Sequence, residues 1–516
     1  MTEAHTDGPL TLPVDPTGVR GLDDVLGGGL PRRALALVTG PPGSGKTTLS
    51  AQVAVAAARA GRTALIVTAF AESPDKLIAH LRTYRFFDAN LLGDGLQILS
   101  LGSFLDEGMT RLSAEVITLL RGARAGLLIL DGFDGVRGLD PDPQAARRFL
   151  YDIGNAAAAL GATTLVTSTA DSREGPFAAQ ATVADVLLRL SYELVGMRER
   201  RRLEVIKVRG AASLPGLHAL TLGADGVAVY PRLEARITST RRGEPPGLPT
   251  KRAEDTEAPR TRGGGLGDSQ DQRAGFGLPD LDALLGGGLA GTTTLLAGGL
   301  GTGKTLLGLH FALSGVAEGA PVVLVSFRDS RRELHRLAAP VGLESRLQAA
   351  LEPGGGLTLL DVDVPPVELD PDVLADQLLE ILAETGARRL VVDSAVDLER
   401  AVAMSSGRER VDDYLAALTA AVRVREISTL FIKELPTARS GAVADEGLGA
   451  RVDNILLLLQ EECDGRLQRT LLIAKARFAA RDAARHLYTI TAPMGLSFDV
   501  ADTAKGHAVA AGQGRS

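Results

Sequence analysis

The chain has 516 residues, 45% of them hydrophobic and 23% charged, values of an ordinary folded protein with more than one domain, which exclude wholesale disorder and a membrane bundle. Lys+Arg 56 against Asp+Glu 63 leaves a net charge of −7, too small over this length to imply a polyanionic partner. The single cysteine, Cys463, excludes an intramolecular disulfide and a Cys-rich zinc site.

Residues 1–16 carry Glu3 and Asp7, lack the basic-then-apolar order of a secretion signal, and are expected to be disordered. With the cysteine count this points to a cytoplasmic protein. No apolar run approaches the roughly 20 residues that span a bilayer, so no membrane partner is expected. Residues 17–232 then alternate short apolar strands (34–39, 64–68, 127–130, 163–167) with helical stretches (47–60, 74–84, 145–160). Fully apolar strands separated by helices predict an α/β domain with a mostly parallel central sheet covered on both faces. Segments 184–190, 201–207 and 218–222 read as antiparallel additions at one edge.

Residues 233–273 are rich in Pro, Gly and alternating charge and read as a linker with little regular structure. Beyond it the pattern starts again. Gly18-Val-Arg-Gly-Leu-Asp-Asp-Val-Leu-Gly-Gly-Gly-Leu30 is echoed by Gly275-Phe-Gly-Leu-Pro-Asp-Leu-Asp-Ala-Leu-Leu-Gly-Gly-Gly-Leu289. Lys46 pairs with Lys304, Asp131 with Asp393 and Lys207 with Lys475, at separations of 258, 262 and 268 residues. So regular an offset is a whole-domain duplication. The second unit, 274–500, is expected to repeat the sheet with strands at 292–296, 322–325, 390–392, 429–432 and 470–474, before a disordered tail at 501–516.

Each half holds a G-x-x-x-x-G-K-[ST] loop between strand and helix: Gly40-Pro-Pro-Gly-Ser-Gly-Lys-Thr47 and Gly298-Gly-Leu-Gly-Thr-Gly-Lys-Thr305. Glycines let backbone N–H groups converge on a triphosphate, and the following helix adds its positive end. Gly40, Gly43, Ser44, Gly45, Lys46, Thr47 and Thr48, with Gly298, Gly301, Thr302, Gly303, Lys304, Thr305 and Leu306, are therefore the candidate ATP contacts. Lys46 and Lys304 would neutralise the β and γ phosphates, and the hydroxyls of Thr47 and Thr305 would ligate Mg²⁺. The metal also needs a carboxylate at the end of a buried strand, and Asp131 and Asp393 supply it.

These residues resemble the KaiC family of RecA-like ATPases over roughly 15–500: the GxxGLDxxLGGGL stretch before the first loop and its counterpart before the second, with Asp280 at the second glycine's place, the Asp closing an apolar strand, and the late strand Leu203-Glu-Val-Ile-Lys-Val-Arg-Gly210. The resemblance implies two tandem RecA-like domains, a homo-hexameric ring and ATP at the seams between subunits. It also gives the Lys207-x-Arg209 and Lys475-x-Arg477 pairs a role in trans on a neighbour's phosphates, with Phe478 in the second copy where the first has Gly210. The family's first catalytic glutamate aligns with Ala71 and Arg328, neither of which accepts a proton from water. Glu72 and Asp329 are the carboxylates left to replace it. Slow hydrolysis is the expectation.

In the clock members a neighbouring Ser-Thr pair is phosphorylated; Gly449 and Ala450 align there and carry no hydroxyl. The leading reading is a nucleotide-dependent assembly or signalling protein with an unidentified protein partner. A productive ATPase or clock-type serine/threonine kinase is the second, and a RecA-like recombination or repair accessory the third. The last needs a basic surface. Segments 171–181 and 433–449 instead carry Asp171, Glu174, Glu434, Asp445 and Glu446 against Arg173, Lys433 and Arg439, which argues against nucleic acid. Arg198, Arg200, Arg201 and Arg202 are the remaining basic patch, read as a solvated hairpin or subunit contact.

Overall fold

Buried Leu, Ile and Val on both sides of a strand leave it no solvent face, so helices must cover both. In the computed structural model, β3 (Leu35–Thr39), β4 (Ala64–Thr68), β6 (Leu127–Asp131) and β7 (Thr163–Ser168) are buried at every position. Alternate residues feed two cores. Ala36, Val38, Ile66 and Ile129 pack with Leu49 and Val53 of the helix Lys46–Arg59. Leu37, Leu65, Val67, Leu128 and Leu130 pack with Leu112 and Val116 of the helix Met109–Ala123 and Leu150 of the helix Pro143–Ala159.

The structure describes residues 12–68, 73–101, 108–139, 142–169, 181–195, 197–241, 273–289, 293–435, 447–463, 466–477, 484–492 and 495–499, in two bodies that divide at Leu248. In the first, a small antiparallel pair, β1 (Val14–Asp15) and β2 (Leu30–Pro31), brackets the Gly18–Leu30 stretch. The main sheet adds β5 (Leu96–Ser100), β8 (Val186–Val195), β9 (Arg198–Val208), β10 (Leu217–Gly223) and β11 (Gly226–Tyr230), in the order β11-β10-β9-β8-β3-β7-β6-β4-β5. The second body contains β12 (Thr293–Gly298), β13 (Val322–Ser326), β14 (Leu357–Asp361), β15 (Arg389–Asp393), β16 (Ser428–Glu434), β17 (Asn454–Cys463), β18 (Arg466–Ala476), β19 (Arg485–Thr491) and β20 (Gly495–Asp499). Its order, β14-β13-β15-β16-β12-β17-β18-β19-β20, repeats the first strand for strand. The fold class is α/β, two mostly parallel sheets with antiparallel strands at one edge and helices on the faces.

Four expectations are corrected. The N-terminal stretch 1–16 is not disordered throughout: Val14–Asp15 forms β1, paired with β2, and Asp15 is buried. Segment 184–190 is not an antiparallel addition: β8 runs parallel to β3, with Ala36 opposite Val186, and antiparallel pairing starts only at β9. The stretch from Leu233 does not begin as structureless linker but as a helix, Leu233–Arg241, whose Leu233 and Ile237 are buried. Finally, Arg200 and Arg202 are buried in β9 and Arg201 pairs with Glu199 at 3.1 Å, while Arg198 is exposed, so the arginine cluster is not solvated as a whole. The expectations for Glu72, Phe478, residues 1–11 and 501–516, residues 242–272 and most of segments 171–181 and 433–449 lie outside the described residues. Among the described residues no helix is long and apolar enough to cross a membrane.

Candidate nucleotide-binding sites

Both loops leave the carboxyl end of the central strand, β3 or β12, and turn directly into a helix, Lys46–Arg59 or Lys304–Ala317. The residue before each helix, Gly45 or Gly303, has φ of 100° or 85°, a left-handed backbone that glycine adopts without the Cβ penalty. Close approach constrains the first glycine of each loop. A Cβ at Gly40 would stand 2.3 Å from the Leu190 carbonyl oxygen, and one at Gly298 would stand 2.4 Å from that of Leu458.

Asp131 and Asp393 end strands two places from the loop strand, and each meets the loop threonine across the sheet top. Thr47 Oγ1 donates to Asp131 at 3.0 Å, and Thr305 Oγ1 donates to Asp393 Oδ2 at 2.7 Å. The structure therefore brings each predicted metal pair together. Hydroxyl and carboxylate oxygens are hard donors suited to Mg²⁺. Among the described residues no group of three or more His, Cys, Asp or Glu side chains forms a metal cage. The residues fit the nucleotide as well: Ser44 Oγ is fully buried inside the loop with no protein partner.

The lysines are folded over their loops. Lys46 Nζ donates to the carbonyls of Gly40 (2.7 Å) and Pro41 (2.9 Å), and Lys304 Nζ to that of Gly299 (2.6 Å). Burial lowers the proton affinity of both amines, opposed by Asp131 and Asp134 around Lys46 and by Glu434 and Asp393 around Lys304. Burial likewise pushes the Asp393 carboxyl up to about 6, against the Thr305 hydrogen bond, while the charge of Asp329 raises it further. Asp329 itself is raised by its own burial and by Glu333. Its backbone is fixed at the start of the helix Arg331–Ala338 by Ser326 Oγ, which accepts from its N–H at 3.1 Å.

The Lys-x-Arg pairs lie elsewhere. Lys207 is opposite Leu187, which is opposite Leu37, and the Arg209 N–H donates to the Asp185 carbonyl. Arg209 is thus level with the start of β3, about 16 Å down the strand from Gly40 at roughly 3.3 Å per residue. Lys207 Nζ donates to the Ala184 carbonyl (2.5 Å), and the Arg209 guanidinium pairs with Asp185 at 3.1 Å. Lys475 and Arg477 repeat this with the Gly449 and Ala450 carbonyls and with Asp453. In neither half does the pair meet its own loop.

Several residues of these sites escaped the sequence reading. Thr167 Oγ1 donates to Asp131 Oδ1 at 2.6 Å, and Asp134 accepts from Ser168 and Thr169. Tyr488 donates to the Thr302 carbonyl at 2.6 Å, anchoring the second loop from β19. Asp185 and Asp453 were findable, since they are separated by the same 268 residues as Lys207 and Lys475.

Two stretches of the chain, residues 15–234 and 274–501, match the family model described as the KaiC ATPase. The chain is also similar to the circadian clock protein KaiC3 of Synechocystis sp., 26% identical over 501 residues covering 93% of this chain and 90% of that protein. It is 25% identical to the circadian clock oscillator protein KaiC of Thermostichus vulcanus over 490 residues, 92% and 87% of the two chains. The corresponding protein of Nostoc sp. is 26% identical over 492 residues, again 92% and 87%.

Proposed function

The chain belongs to the KaiC ATPase family, and from that premise we propose that it is a two-site ATP-binding protein whose nucleotide occupancy drives assembly into a homo-hexamer and thereby recognition of a protein partner, with slow hydrolysis. The observation that carries this reading is the duplicated contact of Thr47 with Asp131 and of Thr305 with Asp393, each beside an intact glycine loop.

In the proposal the loop N–H groups, with Lys46 or Lys304, hold the phosphates, and Thr47 with Asp131 or Thr305 with Asp393 hold the metal. Bound Mg²⁺ supplies neutralisation of phosphate charge. Thr167 orients the Asp131 carboxylate through its hydroxyl. Water activation is the weak link. Ala71 cannot accept a proton, and Arg328 is a permanent cation, which leaves Glu72 and the half-buried Asp329 as bases. Lys207 with Arg209, and Lys475 with Arg477, act on a neighbouring subunit's nucleotide, a role supported by their position at the sheet end remote from their own loops. A ligand bridging two subunits favours the assembled state.

The test is solution mass with and without Mg-ATP, alongside calorimetric titration of the wild type, Lys46→Ala, Lys304→Ala and the double variant. A nucleotide-dependent rise to six chains, with two sites falling to one and then none, is expected. A chain that stays monomeric while binding ATP removes the trans roles, and one that takes up no nucleotide removes the reading altogether. Glu72→Gln and Asp329→Asn are expected to reduce the residual turnover of their own halves.

A further inference from the structure

Arg328 lies two residues past the end of β13 and is gripped by two carboxylates from different elements. Its Nε donates to Asp397 Oδ2 at 2.7 Å, its Nη2 to Asp397 Oδ1 at 3.4 Å and its Nη1 to Glu434 Oε2 at 3.0 Å. Asp397 is itself fixed by Ser394, whose Oγ donates to Oδ2 at 2.7 Å, and its side chain is only 8% exposed. Glu434 ends β16 in register with Gly298, the first residue of the second loop. Next to Arg328, the Phe327 N–H donates to the Asp393 carbonyl at 2.8 Å.

These contacts place the guanidinium among the strand ends that face the loop. In the sheet, β12 carries the loop, β16 brings Glu434, β15 brings Asp393, and β13 delivers Arg328. A glycine loop grips the inner phosphates at its helix start, and a metal held by Thr305 and Asp393 would neutralise the charge of the outer ones. A group beyond the metal aspartate, as seen from the loop, therefore stands at the terminal-phosphate end. Arg328 commits three of its five N–H donors to these carboxylates, and its side chain is 48% exposed. Two donors remain on a guanidinium already held in one orientation. A fork of that kind suits a phosphate, because little side-chain entropy is left to lose. The first half offers Ala71 at the aligned position, so the two halves differ at this point.

We propose that Arg328 is a terminal-phosphate-binding residue acting in cis, preset by Asp397 and Glu434, which makes the second half retain ATP in preference to ADP. This rests on the reading that the second loop binds nucleotide. It adds a specificity determinant where only the loss of a base was evident.

The test uses the full chain carrying Lys46→Ala, so that the second loop dominates binding, titrated with fluorescent ADP and a fluorescent non-hydrolysable ATP analogue. Arg328→Ala is expected to weaken the triphosphate analogue by about tenfold or more, the scale of a lost charged hydrogen bond, and to leave ADP within about twofold. Arg328→Lys keeps a cation for Asp397 and Glu434 but loses the fork, and should recover only part of the preference. Asp397→Asn, which keeps Arg328 but loosens it, should fall between wild type and Arg328→Ala. Equal weakening of both nucleotides, or an unchanged ratio in both Arg328 variants, overturns the proposal. Binding of neither nucleotide by the Lys46→Ala parent overturns the nucleotide-site reading beneath it, a result distinguishable from the first.

Discussion

Asp185 accepts from the Leu35 N–H at 3.0 Å and from Arg209 at 3.1 Å, so one carboxylate ties the start of the central strand to an arginine at the sheet end remote from its own loop. Asp453 does the same for the Thr293 N–H (3.2 Å) and Arg477 (3.5 Å). The arrangement separates two properties that mutation can report independently.

Arg209→Ala removes an ion pair whose arginine is 57% exposed. Such pairs contribute about 0–1 kcal/mol, so the unfolding midpoint should shift by no more than a few degrees. Assembly in Mg-ATP, if the arginine reaches a neighbour, should nonetheless be lost. Asp185→Ala leaves a part-buried N–H without its acceptor, at about 1–3 kcal/mol, and should lower the midpoint by several degrees for a body of this size. Thermal unfolding and light scattering on both variants provide the check. Equal stability losses with assembly intact in Arg209→Ala would show the pair to be structural only.

The glycines of the first loop divide in the same manner. At Gly43 φ is 78° and an added Cβ meets nothing within 4 Å, whereas at Gly40 it meets the Leu190 carbonyl oxygen at 2.3 Å. Gly43→Ala should cost about 1 kcal/mol of backbone strain, yet crowd the open side of the loop and weaken ATP binding more than tenfold. Gly40→Ala must displace β8 as well, at about 1–3 kcal/mol. Calorimetry of folding and of nucleotide binding on the pair tests the distinction. Undiminished ATP affinity in Gly43→Ala would place the phosphates elsewhere.

What the sequence made legible follows from what periodicity encodes. Leu127-Leu-Ile-Leu-Asp131 announces a buried strand ending in a carboxylate because every position is apolar until the last. Leu96–Ser100 and Leu357–Asp361, the outer strands β5 and β14, were missed because edge strands bury only part of their length and their patterns are mixed. Strand direction was illegible at β8, since alternation is identical in parallel and antiparallel pairs. At the second site Arg328 was visible as a departure, but its partners Asp397 and Glu434 are 69 and 106 residues further along, and only the sheet order brings them together.

Two buried groups of the second body should give stability opposite slopes with pH. Asp393 titrates at about 6 in the folded chain against about 3.9 unfolded. The folded state therefore binds its proton more tightly, and the stability this confers is full below about pH 4 and lost as pH rises through about 6, some 3 kcal/mol in all. His310 is 5% exposed, has no partner for Nε2, and is held down to about 4 by burial and then by Arg346. Its contribution is full above about pH 6.5 and is lost as pH falls towards 4, again by about 3 kcal/mol. Between those limits the two slopes oppose each other in the wild type, and substitution exposes each in turn. Asp393→Asn should raise the unfolding midpoint of the second body at about pH 8 while abolishing its stabilisation by Mg-ATP. His310→Met should remove the loss at about pH 5 and leave the Mg-ATP response in place. Unfolding of both variants across that range, with and without Mg-ATP, decides the matter: a midpoint in Asp393→Asn that falls at about pH 8 would mean that the ionised carboxylate stabilises the fold rather than being held there for its ligand.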